Sequence, residues 1–321
     1  MTPAEHDGAA PLTGQVVIVA GAGAGIGRAE ARMLAGRGAS VVVNDVVPER
    51  ADEVVREIVG DGGQAVADYH SVIPPESGQK IVAAAVGHFG RVTALVNNAG
   101  TVRPAEFLKL SAERFESQLD IHLRGSISVT RAVWPLMLEQ GFGRVVMTSS
   151  STALFSNHHA VAYGSAKAAV LGLMRALSIE AEGSGIRVNA ILPYATTDIR
   201  RGDTSPEMEA YEEVTAKFAR EQLGTQFDPQ ATGVRGDPDY VAHMVTYLAS
   251  PECAVHGEAF SVWLGRFARV FFGVCSGVVA PDPAQMDPAW VARHLDHIRD
   301  RSSYTVPMSL YAENADALRQ L

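Results

Sequence analysis

From Gln15 onward the chain alternates short, nearly continuous apolar runs with longer stretches in which apolar residues return every three or four positions. The runs Val16 to Ala20, Ser40 to Asn44, Gln64 to Ala67, Ala94 to Asn97, Arg144 to Thr148 and Ile186 to Leu192 are predicted strands. Their lack of polar alternation is the mark of strands covered on both faces. Between them, Gly25 to Arg37, Pro48 to Val59, Glu76 to Phe89, Ala112 to Glu139 and Ala162 to Glu182 carry the helical period. Gly38, Gly60 and Gly90 supply helix stops, and Ser111 supplies a start. Strand alternating with helix predicts an α/β fold, a doubly wound parallel sheet with helices on both faces.

This regularity ends after Leu192. Pro206 to Leu223 is a charged helical pattern flanked by Gly, Asp, Thr and Pro, predicted as a helical lid insertion at about residues 198–236 lying over the site. Asp237 to Ala249 reads as a helix and Glu258 to Leu264 as a last strand, which brings the sheet to about seven strands. Residues 12–280 are expected to form one domain. Residues 1–11 read as a flexible N-terminus. Residues 281–321 form a C-terminal extension of two helical fragments separated by Tyr304-Thr-Val-Pro307, expected to pack on the domain or on a partner subunit.

Composition narrows the partners. The 321 residues carry a formal net charge of −9 and contain no basic run, which argues against a nucleic-acid surface, because phosphate binding needs clustered Lys and Arg. Two cysteines, Cys253 and Cys275, are too few for a disulfide framework and lack metal-ligand spacing, so no metal site and a reduced, cytoplasmic compartment are expected. The longest apolar stretches fall short of the ~18 to 20 residues of a membrane span.

The candidate chemistry lies at the ends of the predicted strands. After Val16 to Ala20, glycines at 21, 23, 25 and 27 allow a sharp turn and close approach of a pyrophosphate, and the helix that follows offers its amides and positive dipole end. This is a Rossmann-type arrangement. Asp45 ends the second strand 18 residues after Gly27, where a carboxylate accepts bonds from ribose hydroxyls and repels a 2′-phosphate, so NAD is favoured over NADP. Further on, Tyr163 and Lys167 share a helix face, and Ser150 precedes Tyr163 by 13 residues, flanked by Ser149 and Ser151.

Taken in order, Ala20-Gly-Ala-Gly-Ala-Gly-Ile-Gly27, Asn97-Asn-Ala-Gly100, Ser150, Tyr163-x-x-x-Lys167 and Arg187-Val-Asn-Ala-Ile-Leu-Pro193 resemble the short-chain dehydrogenase/reductase family from about Leu12 to Leu264. Val41-Val-Val-Asn-Asp45, His122-Leu-Arg-Gly-Ser126 and Val146-Met-Thr-Ser-Ser150 are similar to its (3R)-hydroxyacyl-CoA dehydrogenase group, found in peroxisomal multifunctional enzymes of type 2. The resemblance implies that Tyr163 is the general acid/base, Lys167 the cation that favours its phenolate and holds the nicotinamide ribose, and Ser150 the donor to the reacting oxygen. It implies cofactor contacts from Gly21, Gly23, Gly25, Ile26, Gly27, Asp45, Ser71, Asn98, Pro193 and Thr196. Four positions depart from the family pattern: Ala20 for a Thr, His122 for a catalytic Asn, His70 for an adenine-contacting Asp, and Tyr194 for a Gly. Neutral imidazole at His122 can hold water and relay protons.

The resulting expectation is an NAD-dependent oxidoreductase of lipid metabolism that interconverts a secondary alcohol and a ketone, with a (3R)-3-hydroxyacyl-CoA as substrate. Lys109, Arg200 and Arg201 are candidate partners for CoA phosphates. A steroid or other bulky-alcohol dehydrogenase is the nearer alternative, and a non-catalytic dinucleotide-binding regulator the more distant one. The family habit of association through the long helices implies a homodimer or homotetramer.

Overall fold

A computed structural model describes residues 12–197, 204–223, 236–280 and 286–319. It divides into two compact units, Met1–Arg269 and Val270–Leu321. The first is built on β1 (Val16–Ala20), β2 (Ser40–Asn44), β3 (Gln64–Asp68), β4 (Ala94–Asn97), β5 (Gly143–Thr148), β6 (Ile186–Tyr194), β7 (Ala259–Trp263) and β8 (Arg266–Val270). They form one sheet in the order β3-β2-β1-β4-β5-β6-β7-β8, and the first seven pair in parallel. The order reverses direction beside β1, which places the topological switch at the glycine turn, where such sheets hold their ligands.

The helices of this unit are α1 (Gly25–Gly36), α2 (Pro48–Gly60), α3 (Ser77–Phe89), α4 (Ala112–Leu119), α5 (Gly125–Gln140), α6 (Thr152–Phe155), α7 (Val161–Glu180), α8 (Pro206–Leu223) and α9 (Pro238–Leu248). Val17, Val19, Val41 and Val43 of the sheet pack with Leu34 of α1, Val54 and Ile58 of α2, and Val241 and Val245 of α9. Val17, Ile18 and Val19 have no exposed surface, which is why β1 reads as an unbroken apolar run.

Two features depart from the predicted elements. The single helix expected over Ala112 to Glu139 is interrupted by a π-helical turn, Asp120–Arg124, whose wider loop is closed by the Gly125 amide reaching back five residues to Asp120 O. The sheet has eight strands rather than about seven. Leu264 and Gly265, with φ of 49° and 81°, turn the chain back from β7 into β8, the backbone of a tight two-residue hairpin. The lid expected at residues 198–236 is described only through α8, Gly236 and residues 204–205. Arg200, Arg201 and the N-terminal residues 1–11 lie outside the described residues.

The second unit contains β9 (Val274–Cys275) paired antiparallel with β10 (Tyr304–Thr305), and two helices, α10 (Pro288–Ile298) and α11 (Leu310–Leu318). Asp287 caps α10 by accepting from Trp290 N, and Ser309 caps α11 by accepting from Ala312 N. Phe271 stacks on Tyr304, with centroids 5.9 Å apart. No described helix is long and apolar enough to cross a membrane.

Candidate active site

The glycine turn is held by the strand ends on either side of it. The Gly21 and Ala22 amides both donate to Asn44 O of β2, at 2.8 and 2.9 Å, and Asn98 Nδ2 donates to Gly21 O at 2.9 Å from the end of β4. Gly21 itself, at φ 73°, lies so close to Ala99 that an added Cβ would sit 2.6 Å from Ala99 Cα. A Cβ on Gly27 would meet Gly21 O at 2.1 Å. α1 therefore starts directly behind the turn, with no side-chain cap and no acidic residue in its first turn, so Gly25, Ile26 and Gly27 offer amides and a positive helix end without a competing carboxylate. This cradle fits a pyrophosphate. Gly27→Ala is expected to weaken dinucleotide binding roughly tenfold or more, since about 1.4 kcal/mol of overpacking strain suffices. Titration with the reduced cofactor, followed by its fluorescence, measures this; unaltered affinity would mean that the turn yields.

The half-buried Asp45 turns its carboxylate towards the turn. Oδ2 accepts from Gly23 N at 2.9 Å and Oδ1 from Val47 N at 3.0 Å, so the side chain is fixed beside the cradle before any ribose arrives. At the end of β3, buried Asp68 accepts from Asn44 Nδ2 at 2.7 Å and faces His70 Nδ1 at 2.9 Å. Ser71 Oγ accepts from Ile73 N at 3.2 Å, closing a local turn. Pro193 lies in β6 opposite Val262. Thr196 N donates to Gly236 O at 2.7 Å, and Thr197 stands over the glycine turn, 3.1 Å from where a Cβ of Gly25 would lie.

A second group lies past the end of β5 and on α7. Lys167 is almost fully buried and its Nζ donates to Thr148 O at 2.7 Å. Burial pulls its ammonium down from an ordinary 10.5 to about 7. Its Nζ lies 5.8 Å from the Tyr163 ring centroid, as their spacing on one helix face requires. Two of the three serines separate by partner. Ser149 Oγ donates to Lys167 O at 2.8 Å and is 1% exposed, so it fastens α7 to the strand end. Ser150 Oγ accepts from Thr152 N at 3.1 Å at the start of α6, a bond that leaves its own proton to donate elsewhere.

His122 joins this group from the π-helical turn. Its ring meets Tyr163 edge to face, with centroids 5.3 Å apart and planes at 81°. Nε2 lies 2.8 Å from Thr101 O, and because a carbonyl only accepts, Nε2 carries the proton and Nδ1 is the acceptor. Nδ1 is buried with no protein partner. Burial first, and the charge on Lys167 second, hold the imidazole well below its ordinary 6.5, while the Thr101 bond opposes them. The ring is therefore neutral near pH 7. It rests on Gly100, where a Cβ would stand 2.4 Å from Cε1. The supporting groups Thr101, Gly100 and the Thr148 carbonyl were not singled out from the sequence, although Gly100 and Thr148 lie inside the quoted motifs Asn97-Asn-Ala-Gly100 and Val146-Met-Thr-Ser-Ser150.

Lys109, by contrast, is exposed and pairs with Glu106 at 2.7 Å. Among the described residues, no group of three or more His, Cys, Asp or Glu converges as a metal site would require.

Comparison with known proteins identifies the family. The family model for short chain dehydrogenases matches residues 15–208. A short-chain type dehydrogenase/reductase of Mycobacterium tuberculosis is 38% identical over 265 residues, 80% of this chain and 84% of that protein. Mouse peroxisomal multifunctional enzyme type 2 is 35% identical over 314 residues, 94% of this chain; the chain spans only 39% of that enzyme's length. The solved structure of a 7α-hydroxysteroid dehydrogenase complexed with NADH and 7-oxo glycochenodeoxycholic acid superposes with a TM-score of 0.68 at 32% identity, over 79% of this chain and 94% of that one. The chain belongs to the short-chain dehydrogenase family, and is a dinucleotide-binding oxidoreductase acting on CH–OH groups.

Proposed function

We propose that this protein is an NAD-dependent (3R)-3-hydroxyacyl-CoA dehydrogenase in which Ser150, Tyr163, Lys167 and His122 carry the proton chemistry. The observation that carries the reading is the meeting of a half-buried Tyr163 with the buried Lys167 and His122 just past the strand that ends at Thr148. The thioester substrate is supported by likeness over 94% of the chain to the mouse multifunctional enzyme.

When bound, the nicotinamide supplies the hydride acceptor or donor. The chain's own residues manage the oxygen and its proton. During alcohol oxidation Tyr163 Oη takes the hydroxyl proton, a task for which a free phenol, with its pKa of ~10, is poorly matched at neutral pH. The Lys167 cation favours the phenolate. Ser150 Oγ donates to the substrate oxygen and steadies charge that develops there. His122 sets a neutral imidazole edge-on against the Tyr163 ring, with Nδ1 as the acceptor through which the proton passes outward.

The cofactor is NAD rather than NADP because the carboxylate of Asp45 accepts from ribose hydroxyls and repels a 2′-phosphate. Replacing Asp45 with Ser is expected to reduce the NAD to NADP ratio of kcat/KM by roughly tenfold to a hundredfold, the range for hydrogen bonds to a charged group. An unaltered ratio would remove Asp45 from the selection.

The deciding assay offers NAD with (3R)- and (3S)-3-hydroxyacyl-CoAs and with 7α-hydroxysteroids. Oxidation of the (3R) thioesters alone is expected. Preferential oxidation of the steroid would favour the second reading, a hydroxysteroid dehydrogenase, which the 0.68 TM-score supports.

Exposed Ile127 and half-buried Trp134 of α5 line a groove with Leu173 and Leu177 of α7. Apolar surface of this kind suits association, so a homodimer or homotetramer is expected. Light scattering that finds only monomers at assay concentration would contradict it.

A further inference from the structure

Between Ala112 and Arg124 the chain buries only two residues fully, and both are polar: Gln118 of α4 and His122 of the π-helical turn. The inward line of such a segment is ordinarily apolar, because burying an amide without a partner costs stability. Gln118 has no exposed surface, and neither its Oε1 nor its Nε2 has a hydrogen-bond partner in the protein. His122, 1% exposed, has a partner at Nε2 and none at Nδ1. Unpaired polar atoms on two neighbouring buried side chains call for an explanation in function.

Residues four apart on a helix project from one face, with Cβ atoms about 6 Å apart. Leu119 and Asp120 keep helical angles, φ −65° with ψ −40° and φ −59° with ψ −53°, so that face is continuous across the junction of α4 and the π-helical turn. Both segments pack on α7, which carries Tyr163 and Lys167. Gly100 leaves the Nδ1 edge of the ring uncovered, for a Cβ there would stand 2.8 Å from Nδ1. The separation is short enough for a glutamine side chain to meet an imidazole directly or through one bridging water.

We propose that Gln118 is a positioning residue for the proton chemistry: its carboxamide partners His122 Nδ1, directly or across one buried water. The inference rests on the assignment of His122 to that chemistry and is independent of which alcohol is oxidised. A carboxamide places a donor and an acceptor on one neutral group. While the ring is neutral, Gln118 Nε2 supplies the donor to Nδ1, and the ring proton stays on His122 Nε2, bonded to Thr101 O. When Nδ1 takes up a proton it becomes a donor, and the amide turns to present Oε1. Both protonation states are thus served without a new charge, whereas a carboxylate at this position would hold the imidazolium. The titratable groups that face the ring from α7 are Lys167 and Tyr163; on its own turn, Asp120 and Arg124 pair with each other.

The test uses Gln118→Met, which keeps an unbranched side chain and removes both polar atoms. This variant is expected to melt at or above the wild-type temperature, since it no longer buries an unpaired amide. Its kcat for the best alcohol of the assay above should fall about fivefold, the effect of one neutral hydrogen bond, with KM for the dinucleotide unaltered. In nitrogen NMR the His122 Nδ1 resonance should move from the position of a hydrogen-bonded acceptor to that of a bare one. Gln118→Glu should raise the pH at which His122 titrates in the same spectra. In a His122→Ala background, Gln118→Met should cause no further loss, as expected of two residues acting through one contact. Wild-type kcat and an unmoved Nδ1 resonance in Gln118→Met, or losses that add in the double variant, overturn the proposal. Should neither Gln118 variant fold, the wild-type spectrum decides, and a bare acceptor at Nδ1 overturns it. If His122→Ala turns over at the wild-type rate, the catalytic reading of His122 fails and the inference falls with it.

Discussion

A Tyr163→Phe protein is expected to bind the dinucleotide and melt as the wild type does, yet to lose kcat for alcohol oxidation by roughly a hundredfold to ten-thousandfold, the span of general acid–base catalysis. The substitution removes only the hydroxyl. The ring keeps its edge-to-face contact with His122 and its place above Lys167, so the loss reports proton transfer rather than packing. Two measurements separate these effects: steady-state oxidation with the preferred alcohol, and fluorescence titration with the reduced cofactor. A folded variant that turns over at the wild-type rate would remove Tyr163 from the chemistry. The pH profile adds a second mark. Since burial brings Lys167 to about 7, its positive charge is lost as the pH rises through 7. The support it gives the phenolate should weaken over that interval.

The second large effect concerns a residue with no part in the reaction. Glu30 of α1 is 0% exposed, and neither carboxyl oxygen has a hydrogen-bond partner in the protein. Burial raises its carboxyl from 4.5 to about 8. Between those values the folded protein keeps the proton and the unfolded chain gives it up, so the folded state binds more protons and stability falls as the pH rises. Below pH 4.5 the penalty is absent; above pH 8 it is complete, on the order of 5 kcal/mol at 1.36 kcal/mol per unit. Glu30→Gln resembles the protonated acid and cannot ionise. It should match the wild type near pH 4.5 and exceed it by a growing margin towards pH 8.5. Urea unfolding at the two pH values checks this, and equal margins at both would show that Glu30 does not ionise with the unusual value its burial implies.

Glu30 also marks where reading the sequence stops. In Arg28-Ala-Glu-Ala-Arg32 a glutamate between arginines looks like solvated helix surface, and only the packing of α1 into the sheet reveals it as core. The strands were legible for the opposite reason: β1, β2 and β4 are covered on both faces, and their composition says so without reference to neighbours. β8 was not. Its residues are mostly exposed, and the turn before it is Leu-Gly, without the Asn-Gly or Asp-Gly pair that announces a tight hairpin. At the site, residue identity and spacing pointed to Ser150 among three serines, but the partner that occupies Ser149, the Lys167 carbonyl, lies 18 residues away along the chain and has no signature of its own. The π-helical turn was invisible because apolar positions continue through Ala112 to Glu139 at nearly the helical period.

That turn joins the candidate site of this chain to its scaffold. A helix that closes one hydrogen bond over five residues instead of four accommodates about one residue more than an α-helix of the same length. His122 sits in that surplus. A chain shorter by one residue between Asp120 and Arg124 would let α4 run straight into α5 with both flanking faces in their present register, and would lose the outward step that brings an imidazole against Tyr163. Deletion at this one point thus exchanges the His122–Tyr163 contact for a plain helix.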